Sequence, residues 1–215
     1  MSVEQLSEPV KAGRPKAAEA EARLNDLMDT AARLILEKGY GKVSLEAIAK
    51  EARVAVRTIY VKFGGKAGLL KAILLRYRAG AFDPVGMEDS IQGPIRDTLR
   101  EFGLRFHRLV SSPEATALYQ IVVAEAHANP DLAEAFWDAG PRQTRELLAR
   151  FFALPAIRAQ LDTDAPPERL AIHLMNCLMG DQLRRFLFES RCGVATTPGE
   201  IEQGIDLFLR GVLKR

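Results

Sequence analysis

The chain has little of what catalysis, secretion or metal binding requires. Only two of its 215 residues are cysteine, Cys177 and Cys192, too few for a disulfide framework and not at metal-ligand spacing. They are expected as unpaired thiols in a reducing compartment. The three histidines, His107, His127 and His173, have no thiol or carboxylate at ligand spacing, so neither metal nor cofactor is expected. No apolar run approaches the roughly 18 residues of a membrane span. The N-terminal segment carries Glu4 and Glu8 and no apolar stretch, unlike a signal peptide; a cytoplasmic protein is expected. Period-two alternation is missing, which argues against a sheet and leaves an all-α chain. Catalysis is also poorly served. Glu125, His173 and Asp181 are the acid–base candidates, and they are scattered, without a nucleophile elbow or a metal-ligand pair.

What is present is a core and a charge asymmetry. Hydrophobic residues make up 47% of the chain, enough for one or two domains. The net charge of +2 hides an uneven distribution. Residues 1–80 carry 15 Lys/Arg against 9 Asp/Glu, whereas residues 81–215 carry 15 against 19. Between Lys38 and Arg78 the count is 10 basic to 2 acidic. A basic front on a mildly acidic rear suggests a polyanion-binding module joined to something else.

The front reads as short helices. Leu24, Leu27, Met28, Ala31, Leu34 and Ile35 form one helical stripe, which Gly39 stops. Ser44 is a good N-cap for a second helix with Glu46 in its first turn. The joint Ala52-Arg53-Val54 leads to a third helix, from about Ala55 to Lys62. Two turns cannot hold themselves in water, so Ile59 and Phe63 must brace it on the first two helices. That leaves Val56, Arg57, Tyr60 and Lys62 for a partner. Gly64-Gly65 breaks the chain, and Lys66 opens a fourth helix through Leu69, Leu70, Ile73 and Leu74.

The order of helix, Gly-Tyr, Val-Ser, Ile-Ala, a turn ending in Val, then Thr58-x-Tyr60-x-x-Phe63-x-x-Lys66 resembles the DNA-binding domain of the TetR family of bacterial transcription regulators. The resemblance covers residues 20–75. It implies an N-terminal three-helix helix-turn-helix domain, joined by a fourth helix to a larger helical ligand-binding and dimerisation domain. The corresponding division is an arm at 1–19, a DNA-binding domain at 20–80 with its motif at 43–63, and an effector and dimerisation domain at 81–215. It also implies that Ser44, Thr58, Tyr60 and Lys66 grip the DNA backbone. Val56 and Arg57 fall at base-reading positions, Arg57 suited to a guanine and Val56 to a thymine methyl. Tyr60 also reads as an inter-helix packing residue. Gly13-Arg14-Pro15-Lys16 resembles an element that lies in an A·T-rich minor groove, with Arg14 in contact; a disordered tail is the alternative. Three residues depart from the family pattern. Arg53 stands where Gly is usual, at a cost of about 1 kcal/mol unless it contacts phosphate. Ala55 replaces a Ser/Thr cap, and Gly65 a Ser.

Proline punctuates the rear at helix starts: Pro94, Pro113, Pro130, Pro141 and Pro167. After Pro166-Pro167 one helical face holds Leu170, Leu174, Cys177 and Leu178, and another holds Ile172, Met175, Met179, Leu183 and Phe186. The last helix adds Ile201, Ile205, Phe208, Leu209 and Val212. Helices at 167–190 and 199–213 are therefore expected to form a homodimer, placing two recognition helices one DNA turn apart on a palindromic operator. In the family the middle region encloses a small-molecule effector. Phe102, Phe106, His107, Tyr119, Phe136, Trp137, Phe151 and Phe152, with Asn176 and Gln182, would suit a largely apolar ligand, though each aromatic also reads as plain core. The expected function is a ligand-responsive repressor. Activation remains open, because fold does not set regulatory sign; a protein-interaction module without DNA specificity is the other alternative.

Overall fold

The computed structural model describes residues 14–81, 94–180 and 197–214. These form eleven helices: α1 (Arg14–Lys38), α2 (Leu45–Glu51), α3 (Val56–Phe63), α4 (Lys66–Ala81), α5 (Ile95–Val110), α6 (Pro113–Glu125), α7 (Pro130–Ala139), α8 (Pro141–Ala153), α9 (Pro155–Arg158), α10 (Pro167–Met179) and α11 (Pro198–Val212). Among the described residues, extended pairing is limited to one isolated bridge, Leu161 with Leu213. No helix there is long and apolar enough to cross a membrane.

Local chemistry sets many of the boundaries. Gly39 leaves α1 at φ 89°, and Ser44 Oγ caps α2 by accepting from the Ala47 N–H at 3.1 Å. Ser112 caps α6 in the same way. Thr197 and Glu200 form a reciprocal capping box on α11, which satisfies two otherwise orphaned donors. α1 begins at Arg14, so Arg14, Pro15 and Lys16 open the helix and do not belong to an arm. Proline is tolerated in a first turn, and the Ala/Glu-rich run that follows favours helix. Residues 17–19, also expected in the arm, continue α1, and residues 1–13, Gly13 among them, lie outside the described residues.

Three apolar clusters hold the helices. The first packs Leu27, Ala31 and Leu34 of α1 on Val43, Ile48, Ala49, Ile59, Leu69 and Ile73. The second fills the rear domain from α5, α8, α9, α10 and α11. The third joins the halves: Ile35, Tyr40 and Leu70 meet Val122, Leu132 and Ala135. α4 lies along α7, so the linking helix belongs to both domains.

The last helix corrects one expectation. Ile201, Ile205, Phe208 and Leu209 are buried in their own domain against α5 and α10, not presented to a second subunit. Gly103 and Gly204 explain the close approach. A Cβ at Gly204 would stand 2.8 Å from the Cys177 carbonyl oxygen, and one at Gly103 would stand 2.9 Å from Ile201 Cγ2. The face left outside contains Leu207, 69% exposed. The helix expected at 167–190 ends instead at Met179, where Gly180 takes φ 40° and leaves the helical path; Leu183 and Phe186 lie outside the described residues.

Candidate nucleic-acid interface and effector region

The turn between α2 and α3 is tight. Arg53 takes φ 54°, and the Val54 N–H returns to the Ala49 carbonyl at 2.9 Å. Ala55 is extended and gives α3 no side-chain cap. α3 has eight residues and survives by its inner face: Ile59 is fully buried. Burying a side chain of that size stabilises by about 1.5–3 kcal/mol. Arg57, Val61 and Lys62 are exposed, and Tyr60 is 55% exposed, which removes its reading as an inter-helix packing residue. Thr58 is half-buried. Val56, expected wholly on the free face, packs partly against the core with Phe63, because it starts the turn whose next member is Ile59. Arg53, in the turn before α3, is exposed.

Behind α3 the chain reverses through Gly64 at φ 77° and Gly65 at φ 133°. A Cβ on Gly68 would lie 1.7 Å from the Phe63 carbonyl oxygen, so α3 and α4 meet only because position 68 is glycine. Lys66 does not simply face outward. Its ammonium donates to the carbonyls of Tyr40 at 2.8 Å and Val43 at 3.0 Å, and it stands 4.1 Å from the centre of the Tyr40 ring. Two of its three donors therefore tie α4 to the α1–α2 turn.

That turn is also held from the rear domain. The buried Tyr40 hydroxyl donates to Asp131 Oδ2 at 2.6 Å, and the Gly41 N–H donates to Glu125 Oε2 at 2.6 Å. Burial, and then the Asp131 acceptor, push the Tyr40 phenol well above its usual range. Further along, Asp138 accepts from Lys71 at 2.7 Å and from Arg142 at 3.0 Å. Those bonds, Lys71 first, hold its carboxyl below the usual carboxylate range. Sequence reasoning missed this clasp. Glu125 stood out only as a scattered acid–base candidate, and the helix start at Pro130 drew no notice to Asp131 itself; neither pattern names a partner in the front domain.

The expected effector residues fall into separate groups, of which Phe102, Phe106, Phe151 and Phe152 share the rear core and Tyr119 pairs with Phe136. Phe102 and Phe106 stack at 5.9 Å inside the rear core. Tyr119 meets Phe136 edge-on at 6.0 Å, in the region that joins the domains. Trp137 is 41% exposed under the Arg145 guanidinium at 4.7 Å. The His107 ring lies 3.2 Å from Ser111 Oγ on the same helix. Asn176 points to solvent, on the side of α10 away from its buried Leu174 and Leu178. Phe151 and Phe152 are fully buried core. Gln182 lies outside the described residues. Helical spacing marks such residues as apolar without saying which helix they meet. Among the described residues no group of His, Cys, Asp and Glu is placed to hold a metal ion.

Comparison with known proteins agrees with this fold. Residues 27–73 match the family described as bacterial regulatory proteins, tetR family. Residues 97–211 match the C-terminal domain described as AefR-like transcriptional repressor. Solved structures of similar fold include the flavonoid-responsive regulator FrrA, at 23% identity and TM-score 0.69, covering 91% of this chain and 99% of that one. NalD, the secondary repressor of the MexAB-OprM multidrug efflux pump in Pseudomonas aeruginosa, is 21% identical with TM-score 0.67, over 92% and 98% of the two chains. A TetR transcriptional regulator from Agrobacterium tumefaciens is 20% identical with TM-score 0.68, over 90% and 95%. No curated protein matches significantly.

Proposed function

Since the chain belongs to the tetR family of bacterial regulatory proteins and is a DNA-binding transcriptional regulator, we propose that it works as a homodimeric, ligand-responsive repressor on a palindromic operator. One observation carries the reading: α3 buries Ile59 completely while leaving Arg57, Tyr60 and Lys62 in solvent, and Ser44 and Arg53 are exposed as well. An exposed tyrosine among cations on a two-turn helix suits a groove lined by phosphates.

In this reading Arg57 pairs with a guanine edge, and Val56 offers the methyl surface it keeps outside the core to a thymine. Ser44, Arg53, Thr58, Tyr60 and Lys62 hold backbone phosphates. Lys66 reaches phosphate with its remaining donor, and Arg14 extends the contact from the start of α1. A two-turn helix reads few base pairs, so two subunits are needed, with recognition helices about 34 Å apart. The description of the matched C-terminal domain, AefR-like transcriptional repressor, supports the repressor sign. The clasp of Glu125 and Asp131 on the α1–α2 turn supports control from the rear domain, since a shift at the α6–α7 corner moves Tyr40, Gly41 and, through Tyr40, Lys66. The cytoplasm is where such a protein would act.

Gel-shift titration on the DNA flanking the gene tests the proposal. A symmetric site bound tightly, and released by an effector, supports it. Equal binding to every sequence at all salt concentrations contradicts it.

A further inference from the structure

Arg78, near the end of the helix shared by both domains, is 9% exposed. Its Nη1 donates to Thr144 Oγ1 at 2.7 Å, and the Thr144 hydroxyl donates to the Gly140 carbonyl at 3.2 Å. Burial pushes this guanidinium below its usual range. One side of α8, comprising Arg142, Gln143, Glu146, Leu147 and Arg150, joins Arg78 in lining a cleft of about 300 Å³. That is the small end of the range for ligand sites, about 300–1,000 Å³. Its charged lining is three guanidinium groups against one carboxylate. α8 also starts without a side-chain cap, so its positive helix end adds to the same field.

We propose that this cleft is the effector site and that it takes a small organic oxyanion, a carboxylate or a phosphate, held between α4 and α8 by Arg78, Arg142 and Arg150. The inference rests on the effector-responsive reading above and replaces its expectation of a largely apolar ligand. Guanidinium groups match a planar or tetrahedral oxyanion with paired N–H donors. The Gln143 amide adds a neutral donor, and Leu147 gives the organic part an apolar wall.

The position also supplies a route to DNA. Arg142 already bonds Asp138 at 3.0 Å and Glu146 at 3.3 Å, and Asp138 in turn holds Lys71 of α4 at 2.7 Å. An oxyanion that draws Arg142 toward itself competes with Asp138, which loosens or shifts the grip of α7 on α4. Its charge therefore acts on the helix whose first residue is Lys66.

Calorimetric titration of the full-length protein with benzoate, phenyl phosphate and the uncharged benzamide tests the site. At least one anion should bind ten times more tightly than benzamide, and the benzoate and phenyl phosphate arms tell carboxylate from phosphate. Arg150→Gln should weaken that anion at least tenfold. Glu146→Gln should strengthen it severalfold, because it removes the one negative group of the lining. Both positions are exposed, so these variants avoid the risk that Arg78→Lys disturbs packing. Benzamide binding as well as the anions, no anion binding, an unchanged Arg150→Gln, or a weakened Glu146→Gln would each overturn the proposal. A parallel gel shift separates the two readings. Anion binding without DNA binding keeps the cleft and removes the regulator; DNA binding without anion binding does the reverse.

Discussion

Arg53 holds φ 54° in a turn that places α3, and left-handed backbone costs a non-glycine residue about 1–2 kcal/mol. Glycine would lose roughly 0.5–1 kcal/mol of that relief to chain entropy. Arg53→Gly should therefore raise stability slightly, a gain of a few degrees in Tm. It should also weaken DNA and reduce the salt slope by about one phosphate contact. A variant that is both more stable and equally tight on DNA would remove Arg53 from the interface. Arg57 behaves differently: Arg57→Ala should relax preference at one base pair per half-site, worth about 1–3 kcal/mol, whereas Lys62→Ala should weaken all sequences alike. Binding-site selection with each variant distinguishes the two. At this scale the sequence shows what is settled within a few residues, such as the Ser44 cap and the Gly64 reversal. It hides the inward turn of Lys66 and the bond from Tyr40 to Asp131, whose partners are 26 and 91 positions away.

Among the elements, α3 and α4 carry the coupling. α3 is held by one fully buried side chain, so Ile59→Ala should cost about 2–5 kcal/mol, seen as a fall in Tm with loss of operator binding. Tyr40→Phe keeps the buried ring but removes the bond to the Asp131 carboxylate, a change of about 1.5–3 kcal/mol. DNA affinity should persist while the response to effector falls; an unchanged response would exclude the clasp from signalling. Asp138, bridging α4 and α8, gives a pH signature. Its folded pKa is depressed, so its stabilisation is full above the unfolded value of about 4 and is lost as pH falls through the folded value. The Tm gap between the native chain and Asp138→Asn should therefore close in acid. Helix existence was legible for every described element but the four-residue α9, because proline and caps act locally. The start of α1 was not, since an Arg-Pro pair suits both an arm and a first turn.

For the whole molecule, the question is what brings two recognition helices together. The apolar stripe of α11 looked like an interface and is core, because periodicity reports burial without naming the partner. Leu207, on the outer side of that helix, and the half-buried Ile172 and Met179 of α10 remain for a second subunit. Leu207→Glu should therefore shift sedimentation toward monomer and reduce operator affinity with it; an unchanged dimer would move the interface elsewhere. The aromatic residues expected to surround an effector were legible as apolar types but not as a shared site, since Phe102 lies in the rear core, Tyr119 meets Phe136 and Trp137 is exposed. The central claim, that α3 and its twin read a two-fold site, is tested most directly by selecting bound DNA from a random pool with the full-length protein. The account predicts an inverted repeat with half-sites about one helical turn apart, and a preferred guanine that disappears with Arg57→Ala. An enriched pool with a single unrepeated half-site, or no enrichment, would contradict it.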